Sequence, residues 1–285
     1  VIFSESTDLT AIPAQTYTFD QLAEIYNQAR VDYIVPMPMN GKRMAEYIYQ
    51  YDVDLTLSVV ALNSEQEICG LNMVGLRGTR SWATRLGVIP NRRGHHIGQF
   101  MMENLLKQSI ALGVQRCQLE VIKGNEPAYR LFLKLGFETT RELLVIRRPP
   151  GKVVPEADFD VAKTQPLDRE RILSLLNDRV ADAAWTEETP SLLKAGSLNG
   201  LSLTLPSGET GWIVYQVLPF QLTHFVIAPG CSAALNRALI YHVHKQNPLQ
   251  DTKIENLPAD HPTWDAFQAL GYLETFRRIE MIKPL

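Results

Sequence analysis

The chain is short of cysteine, has no block of like charge and no long apolar run, and each shortage removes a class of function. Its three cysteines, Cys69, Cys117 and Cys231, lie far apart, form no CxxC pair and are odd in number. Neither a disulfide framework nor a zinc site fits, and a reducing, cytoplasmic setting is expected. The formal net charge is −3 and there is no basic tail, so no nucleic-acid partner is expected. No apolar stretch approaches the ~20 residues that span a bilayer. The opening VIFSESTDLT turns polar after its third residue, unlike a signal peptide, and no membrane partner is expected either. The patterns GxxxxGK[ST], GxGxxG after a strand, GxSxG and HExxH are absent, and there is no Cys–His nucleophile pattern. His242 and His244 stand two apart on a helical segment, so their side chains diverge. No metal is expected.

What is present is a full core and an internal repeat. With 285 residues, 45% hydrophobic and 21% charged, the chain has room for about two ordinary domains. Leu119–Ile146 matches Ile254–Ile282 at an offset of 135: Glu120 with Glu255, Asn125 with Asp260, Pro127 with Pro262, Tyr129 with Trp264, Phe132 with Phe267, Gly136 with Gly271. Upstream, LGVIP (86–90) matches FVIAP (225–229) at an offset of 139, so the second copy is four residues shorter between these blocks. The Pro-rich RRPPGKVVPEAD reads as a connection. The expected domains are 1–148 and 159–285, joined by a linker at 149–158.

In the first copy, helices are expected over Phe19–Arg30 and Gly41–Tyr51, followed by strands over Leu55–Leu62, ICGLNMVGLRG and SWATRLGVIP. A helix over Ile97–Leu112 would bury Ile97, Met101, Leu105 and Leu112, and Gly113 would close it. Gln115–Ile122 is a strand. Asn125 caps the next helix, Pro127 sits in its first turn and Gly136 ends it. This order gives an α+β fold.

The stretch GVIPNRRGHHIG (87–98) is a strand end, a Gly/Arg turn and a helix start. The first turn of a helix leaves N–H groups unpaired and carries positive potential, and arginines add charge, so phosphate is the expected guest.

Arg93, Gly94, His95, His96, Ile97 and Gly98 fill the six positions of the Q/R-x-x-G-x-G/A pattern, with Leu86, Val88 and Pro90 before it and Asn125 and KLGF (134–137) after it. In this the chain resembles the GNAT acetyltransferase superfamily over residues 86–137. The resemblance implies two tandem GNAT-like domains, each a mixed, mostly antiparallel sheet flanked by helices. It implies that the fourth and fifth strands splay apart, with Leu86, Gly87 and Val88 along the pantetheine arm, Arg93 through Gly98 at the pyrophosphate, and Asn125 at the pantetheine or the helix end. Acetyl-CoA would be the co-substrate and a small-molecule or peptide amine the acceptor. An oligomer is left open.

Two departures and one match bear on the chemistry. His96 stands where the family usually has Gly; it either turns its ring away or hydrogen-bonds a phosphate oxygen. Phe132 stands where many members have a Tyr that protonates the leaving thiolate; Tyr129, one turn earlier, is the candidate replacement, with packing as its other reading. Glu120 matches the general base of the ribosomal-protein alanine acetyltransferases, or is a structural carboxylate as Glu255 suggests. Tyr33, Met37 and Met39 are candidates for the acceptor pocket, and Asp52 and Asp54 for attracting a cation. The second copy reads GCSAALNRAL after Pro229, without the Arg/Gly loop, and is expected to bind no CoA of its own. The rival to an N-acetyltransferase is a non-catalytic acyl-CoA-binding or regulatory module.

Overall fold

Thr18 opens the first helix by a reciprocal cap: its hydroxyl accepts from Gln21 N–H at 3.2 Å and its own N–H donates to Gln21 Oε1 at 2.8 Å. The computed structural model describes residues 9–154, 159–179 and 182–285. The polar opening over residues 1–8 and the end of the expected linker, 155–158, lie outside the described residues. In chain order the first elements are β1 (Thr10–Pro13), α1 (Phe19–Ala29), α2 (Gly41–Gln50), β2 (Val59–Leu62), β3 (Ile68–Arg77) and β4 (Arg80–Val88). They are followed by α3 (Ile97–Ala111), β5 (Arg116–Ile122), α4 (Glu126–Lys134) and β6 (Glu138–Arg148). The expected strand from Leu55 begins only at Val59, because Asp54 spends its carboxylate on the N–H groups of Thr56 and Leu57 and turns the chain there.

Next come β7 (Lys163–Pro166), α5 (Arg169–Asp178), α6 (Thr189–Ala195), β8 (Leu198–Thr204), β9 (Thr210–Val217) and β10 (Gln221–Ile227). The chain closes with α7 (Ala233–Gln246), β11 (Asp251–Pro258), α8 (Trp264–Ala269) and β12 (Leu273–Pro284). The elements follow the repeat: β5, α4 and β6 recur as β11, α8 and β12.

The chain divides into two compact units, Val1–Thr140 with Ile279–Leu285, and Arg141–Arg278. Both differ from the sequence-based bounds of 1–148 and 159–285. The last strand begins in the second unit and ends in the first, an exchange that local pattern cannot reveal.

In the first unit β1 to β4 pair antiparallel in sequence order, and β4 pairs parallel with β5. Beside β5 lies the end of β12, and Leu285 N–H donates to Gln115 O at 2.9 Å. Along β5, Cys117, Leu119 and Val121 point into a core with Met102 and Leu105 of α3, Phe132 of α4, Phe137 and Met281. The opposite face carries Gln118, Glu120 and Ile122 by strand alternation. Leu112 departs from expectation: it is the C-cap of α3, 58% exposed, because Gly113 (φ +75°) turns the chain away. Met102, Leu106 and Ser109 complete the buried face instead. Burial pushes the Cys117 thiol up to about 11, and Cys69, Cys117 and Cys231 are all free thiols.

In the second unit the order is β12-β6-β11-β10-β9-β8-β7, with β10 parallel to β11 and β6 antiparallel to it. Its core gathers Leu235, Leu239 and Val243 of α7 against Leu201, Ile213 and Ile254 of the sheet and Phe267 and Tyr272 beyond it. The histidines of α7 part company: His242 Nε2 meets Phe159 O at 2.9 Å and His244 Nε2 meets Tyr272 Oη at 2.8 Å. Among the described residues no three or more His, Cys, Asp or Glu side chains are grouped as ligands for a metal ion. No helix among the described residues is long and apolar enough to cross a membrane.

Candidate functional site

The site begins where two strands stop pairing. β4 and β5 are in register from Arg80↔Arg116 to Ala83↔Leu119 and no further among the described residues, although β4 runs on to Val88 and β5 to Ile122. β4 carries one extra residue at this point: Leu71 faces Gly87 and Met73 faces Thr84, and Arg85 takes a left-handed φ of +54°. Such a bulge bends its strand and increases the local twist. The second unit repeats the device 139 residues on, with His224 (φ +55°) in the register shift of β10.

A groove of about 530 Å³ occupies the first unit beside the splay. One side is Leu86, Gly87 and Val88; another is the loop and first turn of α3, with Gly94, His96, Ile97 and Gly98; a third is α4 with Asn125, Ala128 and Leu131. Residues 29–34, leading out of α1, supply Arg30, Asp32 and Tyr33. Nine of the expected binding residues, counting Arg93, therefore converge on this groove. His95 does not line it; it is exposed on the loop.

The N-terminus of α3 is built to present donors. Phe100 N–H makes the first helical bond, to His96 O at 2.9 Å, so the N–H groups of Ile97, Gly98 and Gln99 precede the ladder. His96 is the N-cap, left-handed at φ +57°, and its side chain makes no cap bond. This backbone state explains why glycine suits the position, and a histidine held there keeps its N–H. Gly98 lets α3 approach its neighbours: a Cβ there would lie 3.3 Å from Leu131 Cδ2 and 3.7 Å from Val88 Cγ2.

Arg93 does something the sequence pattern did not reveal. Its guanidinium donates to both oxygens of Asp32 at 2.7 Å, to Ala29 O at 3.2 Å and to Val88 O at 3.1 Å. The Asp32 carboxylate offers it a two-point anion, and the hydrogen bonds from Arg93 hold that carboxyl below its usual range. Arg92 pairs with Glu67. Asn125 Oδ1 accepts from Ala128 N–H at 3.4 Å, capping α4, while its Nδ2 donates to Tyr33 Oη at 3.3 Å.

The expected catalytic pair lies off the groove. Glu120 stands on the other face of β5 and accepts from Trp82 Nε1 at 2.7 Å, and the Trp82 ring packs by Tyr47 and Tyr51. Arg85 donates to Tyr26 Oη at 2.8 Å and lies 4.2 Å from the Tyr47 ring centre. Tyr129 turns its hydroxyl to Thr139 Oγ1 at 3.3 Å and does not line the groove. Phe132 is buried against Phe137, ring centres 6.0 Å apart. Of the acceptor-pocket candidates, Met37 Sδ lies 3.8 Å from Arg85 Nη1, and Met39 pairs through its backbone with Asn27. Asp52 is engaged by Arg77 at 2.7 Å. The partnership of Asp32 and Tyr33 with residues 61 and 92 positions away has no local sequence signal.

The second unit closes the equivalent place. Ser232 caps α7 through its hydroxyl to Leu235 N–H at 3.1 Å. Glu209 accepts from Ser232 N–H at 2.8 Å and from its Oγ at 2.6 Å. A carboxylate of the chain thus sits at the helix end where α3 leaves its donors open, and the two bonds from Ser232 keep the Glu209 carboxyl below its usual range. Glu255, the counterpart of Glu120, is bound by Arg278 at 2.7 Å and by Lys253.

Residues 20–137 match the Acetyltransferase (GNAT) family. Among solved structures the chain is similar in fold to a GCN5-related N-acetyltransferase from Sphaerobacter thermophilus (15% identity, 97% of this chain and 95% of that one, TM-score 0.67). It is similar as well to a tandem GNAT protein from the clavulanic acid biosynthesis pathway (11% identity, 98% of each chain, TM-score 0.65). A third similar fold is a putative acetyltransferase from Pyrococcus horikoshii (12% identity, 100% and 92%, TM-score 0.64). The chain has the α+β fold seen in a tandem GNAT protein, and its residues 20–137 match the model of the GNAT acetyltransferase family.

Proposed function

We propose that the chain is an N-acetyltransferase that moves an acetyl group from acetyl-CoA to a primary amine of a small molecule or peptide by direct attack, in the cytoplasm and without a metal. The observation that carries this is the continuity of one groove from the unpaired end of β4 to the open N-terminus of α3. The splay exposes strand backbone along Leu86–Val88 for the amide groups of a pantetheine arm. The first turn of α3 and its left-handed loop meet a diphosphate with N–H groups and dipole. A backbone N–H near Val88 polarises the thioester carbonyl.

In this reading Arg93 through Gly98 form the diphosphate loop, with the Arg93 side chain bracing it against Asp32, and His95 belongs to the loop's outer edge. Asn125 organises the start of α4 and faces the donor. Glu120, which does not line the groove, serves as the base through water for an amine that approaches on the Trp82 face of β5. The second unit, with Glu209 on α7, takes no donor. A non-catalytic acyl-CoA-binding module is the second reading, favoured by the phenyl ring at Phe132.

Calorimetric titration with acetyl-CoA tests the first step. One donor per chain, lost in Gly98→Trp, supports the reading; no binding to the unaltered protein overturns it. Thiol release with a panel of amines then separates transfer from binding alone.

A further inference from the structure

Pro127, Arg130, Leu131 and Lys134 fall on one stripe of α4, three or four residues apart, and all of them line the groove. Two are apolar and two are cations. Leu131 stands against Gly98, where an added Cβ would lie 3.3 Å from Leu131 Cδ2. Lys134, nearly one turn further on, donates through Nζ to Gln99 Oε1 at 2.8 Å. Its ammonium is therefore held at the first turn of α3, beside the loop that a diphosphate would occupy.

The cations at this end of the groove are unequally matched. Arg93 has Asp32, and Arg92 has Glu67. Gln99 is a neutral partner, so Lys134 keeps its whole charge, with two N–H donors beyond the one that Gln99 takes. Among the described residues Lys134 makes no ion pair, and Arg130 makes one, with Glu126 at 3.8 Å, both side chains largely in water (79% and 64% exposed). A pair so exposed compensates little of the arginine's charge. Arg130 and Lys134 stand one turn apart, ~6 Å between Cβ atoms, a spacing that one tetrahedral anion can bridge.

The N–H groups at the start of α3 suffice for a diphosphate, and these two cations lie beyond them on a different helix. We propose that Arg130 and Lys134 form a subsite for a phosphate monoester on the nucleotide end of the donor, the 3′-phosphate of coenzyme A; the inference rests on the acetyl-CoA reading of the groove. A phosphate monoester carries about −1.5 to −2 charge at pH 7 and three acceptor oxygens, enough for both cations at once. The subsite sets a class of donor. Thioesters whose pantetheine ends in a 3′-phosphorylated nucleotide are selected over those without that phosphate, dephospho-coenzyme A and protein-borne phosphopantetheine among them.

Calorimetric titration of the full chain with acetyl-CoA and with acetyl-3′-dephospho-CoA tests the subsite. The unaltered protein should bind acetyl-CoA about 10-fold more tightly than the dephospho form at low salt, and the ratio should shrink at high salt, which screens exposed charges. With Arg130→Gln and Lys134→Gln combined, affinity for acetyl-CoA should fall by the same factor. The Kd of the dephospho form should stay within about two-fold and the melting temperature should not move, since both side chains are exposed. An unaltered protein that binds the two donors equally overturns the subsite and leaves the acetyl-CoA reading standing. So does a double variant that loses affinity for both donors alike, which would put these cations at the diphosphate. A chain that binds neither donor brings down the acetyl-CoA reading and the subsite together.

Discussion

Helices α3 and α7 start at the same point of an internal repeat and end in opposite electrostatic states. Behind α3, Gly94 and His96 are both left-handed and no side chain caps the helix. Behind α7, Ser232 caps the first turn and Glu209 brings a carboxylate to it. A helix start without an internal acceptor is available to an external anion; one that has an acceptor is closed to it. The four-residue difference between the repeats thus separates an open helix start from a closed one. The two units differ in a second respect: the first draws its final strand from the far end of the chain.

The largest expected effect breaks that second difference. Ending the chain at Arg278 removes Met281, a fully buried member of the first unit's core, and the Leu285 bond to Gln115. The first unit should lose its cooperative melting transition, while the second keeps its own. Calorimetry that still resolves both transitions would show the terminal strand to be dispensable. The next effect concerns the open helix. Gly98→Trp places a ring against Leu131 and Val88 and should weaken acetyl-CoA binding by about 100-fold or more, equivalent to ~2.7 kcal/mol; unchanged affinity would put the donor elsewhere.

The third effect is one of pH. Burial, with Arg148 adding to it, pushes His244 down to about 3. The unfolded chain protonates this residue near ~6.5 while the native state does not. Its stabilising contribution is therefore complete above that pH and falls as pH drops from about 6.5 towards 3. Denaturant titrations of the second unit between pH 7 and 4 should show this loss, and His244→Gln should flatten it. The smallest effect is at α7. Glu209→Gln should lower the second unit's melting temperature slightly at neutral pH, with little difference below the ordinary carboxylate range, where the native carboxyl is protonated too. Because the closed turn also lacks the Arg/Gly loop, calorimetry of this variant should still find one acetyl-CoA per chain.

Much of this was legible from residues alone. The cap at Asn125 and the glycines at 113 and 136 set the helix ends within a residue or two, since each acts on its own neighbours. The repeat offset placed β11, α8 and β12. Leu112 was misplaced because helical periodicity ignores where the last turn stops. The groove loop was legible because Gly, Arg and Pro bunch at a strand-to-helix turn. The partners of its side chains were not: Arg93 reads as a phosphate ligand until Asp32 is seen to hold it, and Tyr33 reads as a pocket wall until Asn125 fixes its hydroxyl.

The sequence by itself determined the elements, the repeat, the family resemblance and the unequal loops of the two copies, because caps, turns and hydrophobic periods act over a few residues. Only the tertiary structure decided which carboxylate closes α7, which phenol meets Asn125, and which strand end completes the first unit. Those contacts join residues far apart in the chain, and their geometry exists only once the sheet has brought them together.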